Sequence, residues 1–315
     1  IRPDNRQGIK MKSIFRRYSE NPVLRPEDMP FDCFAVYNGG AVKVNGGYIA
    51  LVRTEDSTRY QRVWCARSSD GYHFTPDPEP VKFTADDMEQ YRKYAADSFF
   101  DPRINPVEGK FYITYAAYTF RYGCRIGIGE TEDFRTVRHI SFPHHVQNRN
   151  AVLFPEKING MYVMLHRPES GGNGNIWISR SPDLRFWGDC EVVADRGSGR
   201  WDGIKIGAGT PPLKTSRGWL VVTHAVDSNC SGQHYTVGAI LLDLQDPSKL
   251  IARSRMLMCP DMPYETNGFA PNVVFPCGAV PEPDGSLKLY YGAADNFECL
   301  AETTIQALLD ECRPV

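Results

Sequence analysis

The chain has 315 residues, of which 42% are hydrophobic and 23% charged, and its formal net charge is −2. This near-neutral balance argues against a nucleic acid or an anionic membrane as partner, because both favour a strongly basic face. No apolar run approaches the roughly 18 residues of a membrane span.

The N-terminal segment is polar from Ile1 to Lys10 and lacks the apolar centre of a signal peptide. We expect residues 1–10 to be an expression remnant or a disordered N-terminus, since Met11 resembles a natural start. Residues 11–315 contain no low-complexity linker and are predicted to form a single domain. Nine scattered cysteines without a Cys-x-x-Cys pair favour reduced thiols in the cytoplasm over a zinc site.

Five β-hairpins are predicted along the chain. In each, a turn glycine leads into a short alternating or apolar strand, and another extended run precedes it. The first strands are predicted at residues 40–44, 102–107, 151–158, 210–215 and 273–280. The second strands are predicted at residues 47–53, 109–115, 160–166, 218–224 and 285–291.

The spacing of these hairpins indicates the fold. They recur about every 50 to 70 residues, and several are followed by a strand that ends in a polar Ser/Thr-x-Asp turn and an aromatic residue. Three or four short strands at this period are typical of propeller blades. We therefore predict an all-β fold, a five-bladed β-propeller, with a β-sandwich as the alternative. Helix is predicted at residues 86–94 and, as a short C-terminal helix, within the amphipathic stretch 300–312.

Polar side chains gather where the second strands end. They are Arg53, Glu55, Asp56, His166, Arg167, His224 and Asp295. The inner strands of a small propeller converge on its central channel, and strand ends are rigid supports for reactive groups. These side chains are therefore expected to meet at the channel mouth.

Two further segments carry candidate chemistry. Asp101 follows two phenylalanines, which favour a protonated carboxyl, but it precedes Pro102 and Arg103, and the arginine opposes that effect. Lys205 lies in the glycine-rich segment 202–209, which is a weak phosphate signal and does not match a P-loop. Taken singly, an Asp beside an Arg, such as Asp101, is usually half of a structural ion pair, and a lone lysine such as Lys205 is usually a solvated side chain.

The distribution of positive side chains favours an anion site. Arg149 and Lys205 precede the first strands of two successive hairpins, and Arg167 and His224 end the second strands of the same hairpins. Several cations at one channel mouth repel each other unless an anion lies among them. Guanidinium groups match the oxygens of phosphate in geometry and charge.

Longer motifs resemble a known family. They are residues 148–160, His166-Arg167-Pro168, 204–209, 264–277 and 290–295. These motifs resemble glycoside hydrolase family 130, which comprises β-mannoside phosphorylases and some β-mannosidases on a five-bladed propeller. The similarity extends from about Tyr18 to Ala301, nearly the whole chain.

The resemblance implies a role for twelve residues. Asp101 is the implied catalytic acid, which in the phosphorylases protonates the glycosidic oxygen through the 3-hydroxyl of the mannosyl unit. The implied phosphate-binding residues are Arg149, Arg167, Lys205, His224 and Tyr235. The implied mannosyl-binding residues are Asn38, Arg53, Asp56, Arg59, Arg103 and Asp295. Phe100 departs from the family, where a tyrosine often precedes the acid, so proton delivery or the acceptor subsite is expected to differ.

One acid combined with several cations suits inverting phosphorolysis. An inverting hydrolase needs a second carboxylate to activate water, whereas phosphate is already an anionic nucleophile. We expect a hexosyltransferase-type phosphorylase that cleaves β-1,4-manno-oligosaccharides or mannosyl-glucose with inorganic phosphate and gives α-mannose 1-phosphate. The alternatives are a β-1,2-mannobiose phosphorylase, a β-mannosidase with Asp202, Asp227 or Glu169 as base, and a non-catalytic sugar-binding propeller.

The expected partners are a β-mannoside oligosaccharide and inorganic phosphate as co-substrate. No metal or other cofactor is expected, because phosphorolysis does not require one. The family resemblance also implies a homo-oligomer, since relatives often form them. Neither a nucleic acid nor a membrane is expected as a partner.

Overall fold

The described strands form five small sheets arranged as the blades of a propeller, which confirms the predicted architecture. The structure is a computed structural model that describes residues 13–95, 98–145, 147–197, 201–230 and 232–315. The N-terminal segment predicted at residues 1–10 lies outside these ranges. No helix within them is long and apolar enough to span a membrane.

The strands are numbered along the chain. The first, β1 (Arg16–Arg17), joins the last blade and is introduced with it below. Blade 1 contains β2 (Cys33–Val44), β3 (Gly47–Asp56), β4 (Gln61–Ser68) and β5 (Thr75–Pro76). Blade 2 contains β6 (Lys82–Thr84), β7 (Ser98–Val107), β8 (Lys110–Thr119), β9 (Gly123–Thr131) and β10 (Thr136–Ser141). Blade 3 contains β11 (Asn148–Leu153), β12 (Tyr162–Ser170), β14 (Ile176–Ser181) and β15 (Gly188–Ala194).

The last two blades complete the ring. The short β13 (Asn173–Gly174) pairs with both β12 and the first strand of blade 4, and so connects blades 3 and 4. Blade 4 contains β16 (Lys205–Ala208), β17 (Leu213–Thr215), β18 (Gly218–Asn229), β19 (Gly232–Leu242), β20 (Leu250–Arg253) and β24 (Arg313–Pro314). Blade 5 contains β21 (Val274–Pro281), β22 (Ser286–Ala293), β23 (Phe297–Thr304) and β1. The helices are α1 (Met88–Ala95), α2 (Pro263–Thr266) and α3 (Ile305–Glu311).

The hairpin turns of blades 1 to 3 have the backbone geometry that their residues favour. Between β2 and β3, Asn45 and Gly46 have φ angles of 51° and 81°. Glu108-Gly109 and Asn159-Gly160 show the same two consecutive positive φ values. This is the signature of a type I′ turn, whose twist matches that of the strands it joins. These turns therefore set the register of the three hairpins.

All five predicted hairpins are confirmed, but several boundaries differ. In blade 3, for example, the first strand ends at Leu153 rather than at residue 158. In blade 4 the strand before β18 starts earlier than predicted, as β16 at Lys205–Ala208, and of the run 210–215 only Leu213–Thr215 forms a strand, β17. Pro211 and Pro212 interrupt the ladder between β16 and β17, because they have no N–H to donate to it. The C-terminal helix is shorter than the stretch 300–312. Residues up to Thr304 continue β23, and the Thr304 hydroxyl accepts a hydrogen from the backbone N–H of Ala307, which starts α3. The helix predicted at 86–94 is confirmed as α1.

Apolar clusters fill the spaces between neighbouring blades. Between blades 3 and 4, for example, Trp219 is fully buried and its ring meets Phe154 edge-on, with centroids 5.2 Å apart. Each blade thus packs against both of its neighbours. The innermost strands β2, β7, β11, β16 and β21 are therefore rigid supports for the side chains at the centre of the ring.

Candidate active site

A cavity of about 410 Å³ opens where the blades converge, and residues of all five blades or their connections line it. Seven of the twelve predicted site residues belong to this lining: Asn38, Arg53, Asp101, Arg149, Arg167, Tyr235 and Asp295. The other described lining residues are Asn150, Gly232, Gln233, Ala270, Pro271, Val273 and Phe275. The cavity therefore contains the predicted acid together with three predicted phosphate ligands, Arg149, Arg167 and Tyr235.

Asp101 lies on a bulge of the inner strand β7. The register of β7 on β8 shifts between Phe100 and Arg103, and Asp101 has a φ of 48°. A bulge turns a side chain out of the regular alternation of a strand. Its Oδ1 accepts a hydrogen from Nδ2 of Asn38 at 2.9 Å and lies 3.5 Å from Nη1 of Arg53. Two neighbours thus fix the direction of the carboxyl group.

Arg103 supports Asp101 rather than contacting the cavity. Its side chain is buried and donates from Nη1 to the carbonyl oxygen of Asp101 and from Nε to that of Gly209, both at 2.8 Å. The sequence predicts Arg103 as a mannosyl ligand, but it is not among the described lining residues. Because its guanidinium is engaged with backbone oxygens, it acts as a brace for the bulge.

Arg53 is held by two aromatic rings. Its guanidinium carbon lies 4.6 Å from the ring centroid of Tyr37 and 4.3 Å from that of Phe100. These distances are typical of cation–π contacts. Phe100, the residue that departs from the family pattern, therefore packs against a predicted sugar ligand. In the same cavity, burial raises the pKa of Asp295 to about 6, with Arg53 opposing the shift.

Asn38 reaches Asp101 because a glycine lies beside it. Asn38 is buried and has a φ of 54°, a region that asparagine tolerates better than most residues. A Cβ on Gly292 would overlap Oδ1 of Asn38 and lie 2.8 Å from its backbone nitrogen. The absence of a side chain on Gly292 therefore allows the Asn38 amide to take its position next to the acid.

The predicted phosphate ligands form one connected cluster. Arg149 and Arg167 are cross-strand partners in β11 and β12, and Nη1 of Arg167 donates to Nε2 of His224 at 3.0 Å. Burial, followed by the charge of Arg167, holds the pKa of His224 well below its usual value, so His224 is a neutral acceptor. Tyr235 lines the cavity, and its ring lies 6.5 Å from that of His224.

Glu169 joins three of these predicted ligands. Its Oε1 lies 3.6 Å from Nε of Arg149 and 3.6 Å from Nζ of Lys205, and it accepts a hydrogen from Nη2 of Arg167. Burial alone would raise the pKa of Glu169, but the three cations outweigh it and lower that pKa. The sequence predicts a bound anion among these cations. The structure shows that the Glu169 carboxylate itself supplies part of the negative charge that these cations require.

Two predicted mannosyl ligands, Asp56 and Arg59, are placed elsewhere. Oδ1 of Asp56 accepts hydrogens from the backbone nitrogen and hydroxyl of Thr58 at 2.9 and 2.6 Å, and so stabilises the turn after β3. The guanidinium carbon of Arg59 lies 4.4 Å from the ring of Phe34 and 4.2 Å from that of Phe269. Local hydrogen bonds and stacking hold both side chains outside the described cavity lining. Lys205 and His224 are also outside the described lining, but Lys205 lies 3.6 Å from Glu169 and His224 accepts a hydrogen from Arg167.

Of the three carboxylates considered as a hydrolytic base, Glu169 is the one in the cation cluster. Asp202 forms an ion pair with Arg253. The carboxylate of Asp227 accepts a hydrogen from the backbone of Ser228 at 2.8 Å. Neither Asp202 nor Asp227 is among the described lining residues of the cavity.

The lining also contains residues to which the sequence assigns no role. Phe275 and Pro271 lie in the motif 264–277, and Asn150 lies in the motif 148–160. The family resemblance of these motifs therefore pointed to the segments, although not to the individual residues. Gln233 lies in none of the motifs. Its place follows from the long β18–β19 hairpin, which brings it to the cavity together with Tyr235.

One group of side chains in the described ranges could hold a metal ion. His144, His166 and Cys190 have potential ligand atoms within 4.8 Å of one another. Burial keeps the pKa of His144 at about 4 and that of His166 at about 3, so both imidazoles are neutral. None of the three lines the cavity around Asp101, and the reaction discussed below does not draw on this group.

Fold and cavity together define a propeller enzyme whose central cavity is lined by the carboxyl group of Asp101 and by two arginines, Arg149 and Arg167. The chain belongs to glycoside hydrolase family 130, whose family model, described as beta-1,4-mannooligosaccharide phosphorylase, matches residues 7–314.

Similar proteins cover nearly the same length. A beta-1,4-mannooligosaccharide phosphorylase of Ruminococcus albus is 34% identical, over 95% of this chain and 91% of its own. A 1,2-beta-oligomannan phosphorylase of Thermoanaerobacter is 35% identical, over 91% of this chain and 95% of its own. The structure of a beta-1,2-mannobiose phosphorylase of Listeria innocua matches with a TM-score of 0.84 and 28% identity, covering 94% of this chain and 98% of that one.

Proposed function

We propose that the chain is an inverting β-mannoside phosphorylase that splits β-mannosides with inorganic phosphate and releases α-mannose 1-phosphate. The observation that carries the proposal is that Asp101, Arg149 and Arg167 line one cavity. Membership of family 130 and the phosphorylase relatives support it. The reaction is that of a hexosyltransferase, with phosphate as the acceptor of the mannosyl group.

In this proposal Asp101 is the proton donor. The departing glycosidic oxygen must receive a proton, and the carboxyl group supplies it through the 3-hydroxyl of the mannosyl unit. Asn38 and Arg53 hold this carboxyl in place, and together with Asp295 they are proposed to contact the mannosyl ring. Arg103 acts on the sugar only through the backbone of Asp101.

The cation cluster positions the nucleophile. A phosphate oxygen attacks C1 on the face opposite the leaving group, the glycosidic C1–O bond breaks, and the new C1–O–P linkage has the inverted configuration. Arg149 and Arg167 bind the phosphate and offset its charge, and Lys205, His224 and Tyr235 complete the site. Because phosphate is already anionic, no general base is required.

We propose β-1,4-linked mannosides as substrates, in line with the description of the family model and the Ruminococcus albus relative. β-1,2-linked mannosides are the second candidate, because the Thermoanaerobacter relative named for that linkage is equally similar. The nine free cysteines support a cytoplasmic location. A homo-oligomer is proposed from the family resemblance. No cofactor takes part, so activity should persist in EDTA.

The test is phosphate dependence on a panel of disaccharides. The purified protein is incubated with β-1,4-mannobiose, β-1,4-mannosyl-glucose or β-1,2-mannobiose, with and without inorganic phosphate. Mannose 1-phosphate should form when phosphate is present. Without phosphate, neither mannose 1-phosphate nor a free monosaccharide should form. Free mannose in the absence of phosphate would instead identify a β-mannosidase. Binding without any product would identify a non-catalytic propeller.

A further inference from the structure

Glu169 places a negative charge inside the cluster that is proposed to hold phosphate. Among the described residues, its ionic contacts converge on one oxygen, Oε1, which meets Arg149, Arg167 and Lys205. The side chain is 14% exposed, and both arginines line the cavity. An anion that binds to these two guanidinium groups is therefore a close neighbour of the carboxylate, whose Oε1 already meets the three cations.

Two adjacent anions repel strongly in a poorly hydrated site, and such pairs are stable when a proton is shared between them. An ionised carboxylate can only accept hydrogen bonds. Hydrogen phosphate carries an O–H group that can donate one. Sulfate has the same shape and charge but carries no hydrogen at neutral pH. A carboxylate beside the anion therefore attracts the first and repels the second.

We infer that Oε2 of Glu169 accepts the hydrogen of bound hydrogen phosphate, and that this contact makes the site select phosphate over sulfate. The inference rests on the proposed function, because it assigns a specificity role at the same site. Glu169 is thereby a binding residue that disfavours sulfate, because sulfate has no hydrogen to donate to the carboxylate.

The surroundings of Glu169 favour this role over that of a base for water. The three cations stabilise its ionised form and lower its pKa, which weakens a carboxylate as a proton acceptor in a transition state. The hydrogen bond from Arg167 also fixes its orientation. A fixed, ionised acceptor is suited to recognising a donor group on a ligand.

The experiment compares the wild type with Glu169→Gln, which keeps the shape but can donate to sulfate. The KM for phosphate and the competitive Ki of sulfate are measured with the mannoside at saturation. Glu191→Gln is the matched control, because Glu191 is an exposed residue of β15 in the same blade. In Glu169→Gln the ratio of the sulfate Ki to the phosphate KM should fall about tenfold or more. A ratio unchanged within about threefold would overturn the inference.

A second measurement uses the wild type alone and is independent of how the variant folds. Arsenate carries a hydrogen as phosphate does, so it should compete with phosphate at least about tenfold more strongly than sulfate. Equal competition by sulfate and arsenate would contradict the role of Glu169. Failure of the proposed function is a separate outcome, because the wild type would then show no phosphate-dependent cleavage at all.

Discussion

Arg149 and Arg167 lie directly opposite each other in the antiparallel ladder of β11 and β12. Like charges at opposing positions destabilise a pair of strands. Glu169 offsets part of this repulsion through its contacts with both arginines, and a bound anion would offset more of it. Blade 3 is therefore the part of the ring in which a bound anion would most relieve the repulsion between like charges.

Removal of one cation should weaken phosphate binding selectively. We expect Arg167→Ala and Lys205→Ala to raise the KM for phosphate about tenfold or more, because each loses a charged contact in a buried cluster. The KM for the mannoside should change far less. Initial rates measured over a matrix of both substrates distinguish the two constants. Arg185→Ala, at an exposed position after β14, is the control. An effect confined to the mannoside KM would remove these residues from the phosphate site.

Asp101→Asn should abolish most turnover while it preserves the fold. The amide cannot deliver a proton, and general acid catalysis contributes roughly 100- to 10,000-fold in rate. Asparagine also tolerates the positive φ of 48° at this position, so the bulge should persist. Single-turnover rates and the thermal unfolding midpoint are the measurements. Activity near that of the wild type would exclude Asp101 as the acid.

Gly292→Ala should displace the Asn38 side chain from its position next to Asp101. The added methyl group would overlap the amide of Asn38, which then cannot keep its 2.9 Å hydrogen bond to Asp101. We expect kcat to fall by roughly tenfold or more from this misplacement. Gly188→Ala is the matched control, because a Cβ there meets no atom within 4 Å. If both variants retain full activity, Asn38 does not orient the acid.

The sequence could predict the five-bladed propeller and most of the residues around Asp101, because both depend on local signals. Turn pairs such as Asn45-Gly46 specify hairpins by themselves, and Asp101 lies in a distinctive local motif. The position of Glu169 among three cations could not be predicted, because its contacts join blades 3 and 4 and depend on how those blades pack. Asp56 shows a different limit of the sequence. The family resemblance implies a mannosyl contact for it, but the sequence does not show that short-range hydrogen bonds to Thr58 hold its carboxylate in a turn.

Two neighbouring arginines of β1 should differ sharply in their contribution to stability. Arg17 donates from Nε and Nη2 to Glu265 at 2.6 and 2.8 Å, and the Glu265 side chain is fully buried. Arg17→Ala would leave that carboxylate without its cation, at a cost of about 3–5 kcal/mol. Arg16 pairs with Glu302 but is 84% exposed, so Arg16→Ala should barely change the unfolding midpoint. Denaturant titration of both variants provides the comparison, and equal effects would contradict it.

Stability should fall below neutral pH because of buried neutral histidines. Burial, aided by Arg185 and Arg125, lowers the pKa of His139 to about 4, whereas the unfolded chain titrates near 6.5. Between these values the unfolded state binds the extra proton, so acid favours unfolding. From pH 7 to pH 5 this residue should cost about 2 kcal/mol.

The His139→Gln variant tests this origin of the pH dependence. Its unfolding free energy, measured by denaturant titration at pH 7 and pH 5, should depend less on pH than that of the wild type. His73 is the contrasting position, because its hydrogen bond with Asp70 raises its pKa and stabilises the fold on the acid side. His73→Gln should therefore steepen the loss in acid slightly. An identical pH dependence in all three proteins would remove His139 as a source.

The pairing of β1 with β23 has a consequence for how the chain folds. Arg16 contacts Glu302 across 286 residues of sequence, whereas the hairpins within each blade join neighbouring segments. Contacts of such long range raise the contact order and form late, after the loop entropy of the intervening chain has been overcome. Blade 5 is thus completed only when both ends of the propeller have met, and closure of the ring is the step expected to limit the rate of refolding.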